Sequence, residues 1–328
     1  MKINFIVFSI AKQAYLAKIE KPSMPSQARF LTFAVFGLML MSFACKSTPP
    51  AIQPTMVSPL TSPTATSATT QTPEDEEKSA EDFFTKEDKL FYNGYEITKL
   101  KKTVQEEGTK MDVSYLMVKK NHKTMAIFDG PHHSIGNAAD FGLFPFLGKE
   151  KQLIVSITVP RGGRQWIAEL FPAYRVIFDT SKWGVGREGT DLGFVDLDHD
   201  GVLEITAGDF WYYIFNEISI SETPVVNVIF RYDPKVKEYV PANHLFPKYA
   251  LRWVEDWSSS LPANKGYGYL GRRVDVLLLY LYAGKEREGW EFFERMYKGQ
   301  DKAQVKGNIK NALKHSPIYQ YIRKHSKN

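Results

Sequence analysis

The chain has 328 residues, a formal net charge of +5 and a single cysteine. One cysteine excludes an internal disulfide, and lysines and glutamates are interspersed without the basic stripe that nucleic-acid binding requires. The aromatic content of 14% suits β-rich packing, and the roughly 245 residues from Phe83 onward suffice for one or two hydrophobic cores.

Phe30 to Ala44 is an apolar run of fifteen residues, preceded by Arg29 and closing Ser42-Phe43-Ala44-Cys45. A bilayer span needs about 20 residues, so the run predicts a cleaved secretory signal rather than an anchor, an uncleaved helix being the alternative. Cysteine directly after the small residue resembles a bacterial lipoprotein signal, although Ser42 stands where that family usually has leucine. The resemblance implies lipidation at Cys45 and a mature chain held at a membrane in the bacterial cell envelope, outside the cytoplasm. Residues 1–44 are then the signal peptide, with 1–23 an upstream extension before a more natural start at Met24. Residues 45–82 are rich in Pro, Ser, Thr and Ala and end in an acidic run. Lacking apolar periodicity, they cannot offset the entropy of ordering and predict a disordered tether.

Residues 83–255 are expected to form a β-repeat domain. Ile-Phe dipeptides recur at Phe128, Phe178 and Phe230, spaced fifty and fifty-two residues apart. Phe144 to Val155 aligns with Phe194 to Ile205 at the same offset. Four strands per fifty residues is the period of a propeller blade. One unit is predicted to use strands near 142–147, 152–158, 165–170 and 174–179, and the next 193–197, 203–208, 225–232 and 237–241.

Between the first two strands of the last unit lies Asp196-Leu-Asp198-His-Asp200-Gly201-Val-Leu-Glu204, with acids at loop positions 1, 3, 5 and 9 and glycine at position 6. Hard divalent cations take six to eight oxygens, and alternating acids converge only when a glycine lets the loop wrap tightly. An EF-hand would put its bidentate acid at position 12, here Ala207, between two helices; these flanks read as strands. The pattern predicts calcium in a strand–loop–strand site, against the alternative of an acidic hairpin that binds nothing.

The segment from Phe194 to Gly208 resembles the FG-GAP/VCBS repeat of integrin-type β-propellers, which carries Asp-x-Asp-x-Asp-Gly-x-x-Asp/Glu in a hairpin loop. The resemblance implies Asp196, Asp198, Asp200 and Glu204 as side-chain ligands and Val202 as a backbone-carbonyl ligand. It is strong over one blade. The corresponding Phe146-Leu-Gly148-Lys-Glu150 has lost most of its acids and should hold no metal. A complete propeller of that family has seven blades, so the expected fold is mainly β, an incomplete propeller-like array of about three four-stranded repeats followed by a small helical region.

That region, 256–328, opens with Val274, Leu277, Leu278, Leu281 and Tyr282 at three–four spacing. Trp290, Phe293 and Tyr297 mark a second helix, Asp301 with Gln304 a capping box for a third, and Ser316-Pro317 the start of a fourth. Catalytic signals are sparse. His132-His133 near Asp129 and Asp140, the turn around Arg161-Gly-Gly163-Arg164, and Trp183 to Glu188 are each better read as turns, and no Gly-x-Ser-x-Gly occurs. The expected function is a lipid-anchored calcium-binding module for a protein or glycan ligand, and the alternative is a secreted hydrolase.

Overall fold

β1 (Lys78–Ser79) begins a chain of thirteen described strands, and the helices follow the last of them, apart from two short helical turns between strands. The computed structural model describes residues 77–326 apart from 107, 130–137, 160–161, 186–191, 212–222 and 263–268. The segment expected to be a signal peptide, Cys45 and the expected tether up to residue 76 lie outside the described residues. Residues 78–82, which composition places in the tether, belong instead to the fold. Lys78 pairs with Phe194 and Ser79 with Gly193, and Ser79 caps a 3-10 turn over Ala80–Phe83. Their apolar content is low because a two-residue edge strand is held by its ladder rather than by burial.

The strands form three antiparallel sheets in chain order. The first holds β2 (Lys89–Tyr92), β3 (Tyr95–Glu106), β4 (Thr109–Lys120) and β5 (Lys123–Phe128). The second holds β6 (Ala138–Phe144), β7 (Gln152–Val159), β8 (Gly162–Glu169) and β9 (Arg175–Asp179), the last running into the helical turn α1 (Thr180–Trp183). The third holds β10 (Gly193–Val195), β11 (Glu204–Phe210), β12 (Val225–Asp233) and β13 (Glu238–Pro241), with β1 added beside β10. Each runs as a meander, every strand hydrogen-bonded to its successor. The Ile-Phe dipeptides do not mark equivalent strands, however. Phe128 and Phe178 end or occupy the fourth strands β5 and β9, whereas Phe230 lies on β12, the third strand of its sheet. The second and third strands are joined by residues 160–161 in the second sheet and by 211–224 in the third. The longer connection carries the third strand to the spacing at which a fourth is expected.

The second sheet is buried on both faces. Leu153, Val155, Ile157, Trp166 and Ala168 pack with Tyr95, Ile97, Leu116, Val118 and Phe128 of the first sheet. The alternate residues Ile154, Ile167 and Phe178 pack with Phe194, Ile205, Val228 and Phe230 of the third. This double burial is why β7 reads as a nearly continuous apolar run instead of alternating. A ring cluster of Phe83, Phe144, Phe146 and Phe194 fills the space where the second and third sheets meet, with centroids 4.3–5.2 Å apart.

Helices α2 (Pro247–Ala250) and α3 (Val254–Ser259) begin inside the range expected to be β, and α4 (Tyr269–Tyr282), α5 (Glu286–Met296), α6 (Lys302–His315) and α7 (Pro317–His325) complete the chain. α4 is buried on nearly all sides, and its Val274, Leu277, Leu278 and Leu281 join the core of the third sheet. Ser316 caps α7 through the Tyr319 amide at 3.1 Å. Asp301 does not cap α6 by its side chain; its Oδ1 accepts the Tyr297 hydroxyl at 2.9 Å, which satisfies the carboxylate elsewhere. Among the described residues no helix is long and apolar enough to cross a membrane.

Asp275 ties the central helix to the third sheet. Its Oδ1 accepts the Val225 amide at 2.8 Å, at the first residue of β12, and Arg272 lies 3.6 Å from Oδ2. Burial pushes its carboxyl up to about 7, against the opposing pull of the Val225 amide and Arg272. A raised folded-state pKa contributes stability that is complete below the unfolded value near 4 and disappears as pH rises through about 7. Asp275→Asn keeps an acceptor for Val225 and removes the titration. Urea unfolding of both proteins at pH 4, 6 and 8 should show the variant gaining on the native chain by on the order of 2–4 kcal/mol across that window.

Candidate metal centre

β10 and β11 form a hairpin with Phe194 opposite Ile205 and Val195 opposite Glu204, so residues 196–203 are the connecting loop. Two turns wrap it. Asp196 accepts the amides of Asp200 at 3.1 Å and Gly201 at 3.0 Å, and Asp200 Oδ1 accepts the Val202 amide at 2.8 Å. The wrap requires left-handed backbone at His199 (φ +58°) and Gly201 (φ +82°). His199 is exposed.

Asp196, Asp198 and Glu204 each bring a carboxylate oxygen to within 4.8 Å of the others. Asp200 stands beside this triad rather than in it, its Oδ1 taken by Val202 and its Oδ2 by Arg231 at 3.2 Å. Val202 lies in the same turn and is engaged there through its amide. The five positions expected to be ligands are therefore one loop, of which three side chains converge.

Glu204 is the unusual member. It is fully buried, its Oε2 accepts the Leu197 amide at 2.8 Å, and its Oε1 is buried without a hydrogen-bond partner. A carboxylate in that state is costly unless a cation compensates it. Burial pushes Glu204 up to about 7; Asp198 and Asp200 push in the same direction, while the Leu197 amide and Arg231 pull down. The donor set of three converging carboxylates, one with an unsatisfied oxygen, fits a hard cation that takes oxygen ligands.

The sequence motif does not contain Arg231, yet it reaches the site. Ile205 lies opposite Phe230, which sets Arg231 across the ladder from Glu204. One guanidinium nitrogen is 2.6 Å from Asp198 Oδ2, and Nε is 3.8 Å from Glu204 Oε1. Arg231 is twenty-seven residues from Glu204, and strand pairing is the only route to it.

The loop is also braced from outside. The Leu203 amide donates to the Phe146 carbonyl at 2.9 Å, and the Leu203 carbonyl accepts the hydroxyl of buried Tyr239 on β13 at 3.0 Å. Phe146 belongs to the β6–β7 connection, the loop expected to bind no metal. There Leu147 donates its amide to Gln152 Oε1 at 3.1 Å, as Leu197 does to Glu204. The two hairpins share one backbone device, with a neutral amide in the loop where Phe146 and Gly148 stand at the positions of Asp196 and Asp198.

Of the other residues weighed for chemistry, His132, His133, Arg161 and 186–188 lie outside the described residues, and the charged ones that are described are held in ion pairs. Asp140 lies 3.4 Å from Lys99, Asp129 lies 3.6 Å from Lys102, and Arg164 is bound in a fork by Asp179 at 3.0 and 2.6 Å. Comparison with protein-family models, curated proteins and solved structures finds no match.

Gly148 marks the contact between the two loops. Its φ is +85°, and a Cβ there would stand 2.9 Å from the Gly201 carbonyl oxygen. Gly148→Ala combines backbone strain with that clash and should cost about 1–3 kcal/mol in urea unfolding, more than Gly94→Ala, where φ is +77° but a Cβ meets nothing within 4 Å.

Proposed function

We propose that this protein is an extracytoplasmic, lipid-anchored calcium-binding protein of the bacterial cell envelope. Its three successive four-stranded meanders are read as blade-like units of an incomplete propeller-like array of the FG-GAP/VCBS type. In this reading the calcium is structural, and the array serves as a binding or adhesion module for a protein or glycan. The observation that carries the metal assignment is Glu204, a fully buried carboxylate with one unsatisfied oxygen, facing Asp196 and Asp198. Asp196, Asp198 and Glu204 would hold the ion, with Asp200 and the Val202 carbonyl completing the set. The ion would neutralise the converging charge and pin the turn that sets register between β10 and β11. The placement in the envelope rests on the short apolar run ending in Ala44-Cys45 and on the Pro/Ser/Thr-rich segment after it. Stable anchoring takes more than one acyl chain, which a lipoprotein amino terminus supplies.

Calcium removal provides the test. At a free concentration about 100-fold above Kd, a ligand that binds only the folded state adds about 2.7 kcal/mol. For a domain of this size that corresponds to a rise in Tm of roughly 5–10 °C over the chelated protein. Glu204→Gln retains the acceptor for Leu197, as Gln152 does for Leu147, but removes the charge. The variant should fold and lose the calcium response. An equal response in both proteins would refute the assignment.

Cys45→Ser tests the anchor separately. The variant should leave the membrane fraction or remain uncleaved, and mass spectrometry of the native mature chain should find acyl groups on Cys45. A free thiol on a cleaved chain would contradict the placement.

A further inference from the structure

We infer that Arg231 is a built-in competitor for calcium, a tethered cation that holds the ligand set together and must be displaced when the metal binds. The inference rests on the calcium reading above and concerns how that site is regulated. Arg231 contacts Asp198 Oδ2 at 2.6 Å and Asp200 Oδ2 at 3.2 Å, and its Nε stands 3.8 Å from the unsatisfied Oε1 of Glu204. Three of the four acids thus converge on one guanidinium. Its position is fixed by the fold, because Arg231 lies within β12, paired with β11 on one side and opposite Val240 of β13 on the other.

A guanidinium keeps its charge at any pH a protein survives, so it cannot yield to the metal by losing a proton. A divalent cation and Arg231 would share the same carboxylates within a few ångströms, and their repulsion at that range is strong even under protein screening. The head group must swing away for the metal to gain Asp198, and its long stem allows that movement. The consequences have opposite signs. Without calcium, Arg231 relieves the repulsion among the acids and supports the loop. With calcium it opposes binding, lowering the affinity toward the range of about 10⁻⁴–10⁻³ M typical of extracellular modules. Such a site would fill only where calcium is abundant, outside the cytoplasm, and its loop would remain folded before it does.

Calcium titration calorimetry on the full chain, with Arg231→Gln and Arg231→Lys in parallel, decides the matter. Arg231→Gln should bind calcium about tenfold more tightly or better. The same variant should melt lower than the native chain in chelator. Arg231→Lys keeps a competing charge and should stay within about threefold of the native affinity. A purely structural role would lower the melting temperature in chelator and leave calcium affinity equal or weaker in Arg231→Gln, and that result overturns the inference. If the native chain and both variants all fail to bind calcium, the calcium reading falls and this inference with it. Native binding unchanged by Arg231→Gln removes the inference alone. Should Arg231→Gln fail to fold, the Nη–H resonance of Arg231 in the native protein, at the nitrogen that contacts Asp198 and Asp200, distinguishes the same two outcomes. Its release to solvent exchange on calcium addition supports competition, and a signal unmoved through saturation overturns it.

Discussion

The most demanding group in the third sheet is one buried carboxylate. Glu204 begins β11 with no exposed surface, flanked by Ile205 in the core. A charge there must be compensated by whatever the surrounding strands can offer. The Leu197 amide takes one oxygen, and the strand register delivers Arg231 toward the other without reaching hydrogen-bond distance. The result is a carboxylate held in place but incompletely satisfied. Its pKa near 7 expresses the same balance: burial and the neighbouring acids outweigh one amide and one distant guanidinium. Natural folds tolerate such a group where it serves a site.

The neighbouring hairpin shows how the same chain handles the same geometry without that burden. Gln152 is also buried at the opening of its strand, and it accepts the Leu147 amide with a neutral oxygen while donating to the Glu150 carbonyl at 2.7 Å. Leucine, amide bond and buried acceptor match between the two loops, and what differs is charge. Backbone geometry alone therefore does not require an acid at position 204. The acid is an addition to a hairpin that already closes, and it occurs in the loop where Asp196 and Asp198 converge on it.

The strands of the second and third sheets are legible in the sequence because their apolar runs are bounded by turn residues and answer to a doubly covered sheet. The acidic loop is legible because its acids lie within nine residues. Features made by pairing across the chain are not. β1 is two residues at the edge of an ordinary polar stretch, and it enters the fold through the ladder to β10, with Glu77 beside it accepting from Thr206 and Tyr249. Arg231 follows an Ile-Phe pair that reads as one more core strand, and nothing local announces that its side chain faces an acid cluster. The fifty-residue spacing of the dipeptides misleads for a similar reason, whereas the strands read from the apolar runs already put Phe178 on the fourth strand of its unit and Phe230 on the third of the next, as the hydrogen-bonded order has them.

Coverage of the stack is uneven, and this bears on where a partner could act. The third sheet has its far face covered by the α2 segment, where Ile229 packs with Ala250 and Phe246, while α4 packs on the face of Ile205 and Phe230 and is bound there by Asp275 and by the Tyr282 hydroxyl, 2.6 Å from Asp209. The second sheet is enclosed between its neighbours. The first sheet uses Ile97, Val118 and Phe128 against the second, which leaves the alternate residues of its paired strands on the opposite face. Phe91 and Ile127 lie there, 70% and 55% exposed. Terminal units of stacked-sheet arrays ordinarily present a polar outer face. The acidic loop lies in the third sheet, at the other end of the stack, braced through Leu203 to Phe146 of the enclosed sheet. That backbone bond cannot be removed by any side-chain substitution, and the β6–β7 hairpin it reaches is in turn tied to the first sheet, where the Tyr92 hydroxyl donates to Glu150 and accepts the Lys151 amide at 3.1 Å.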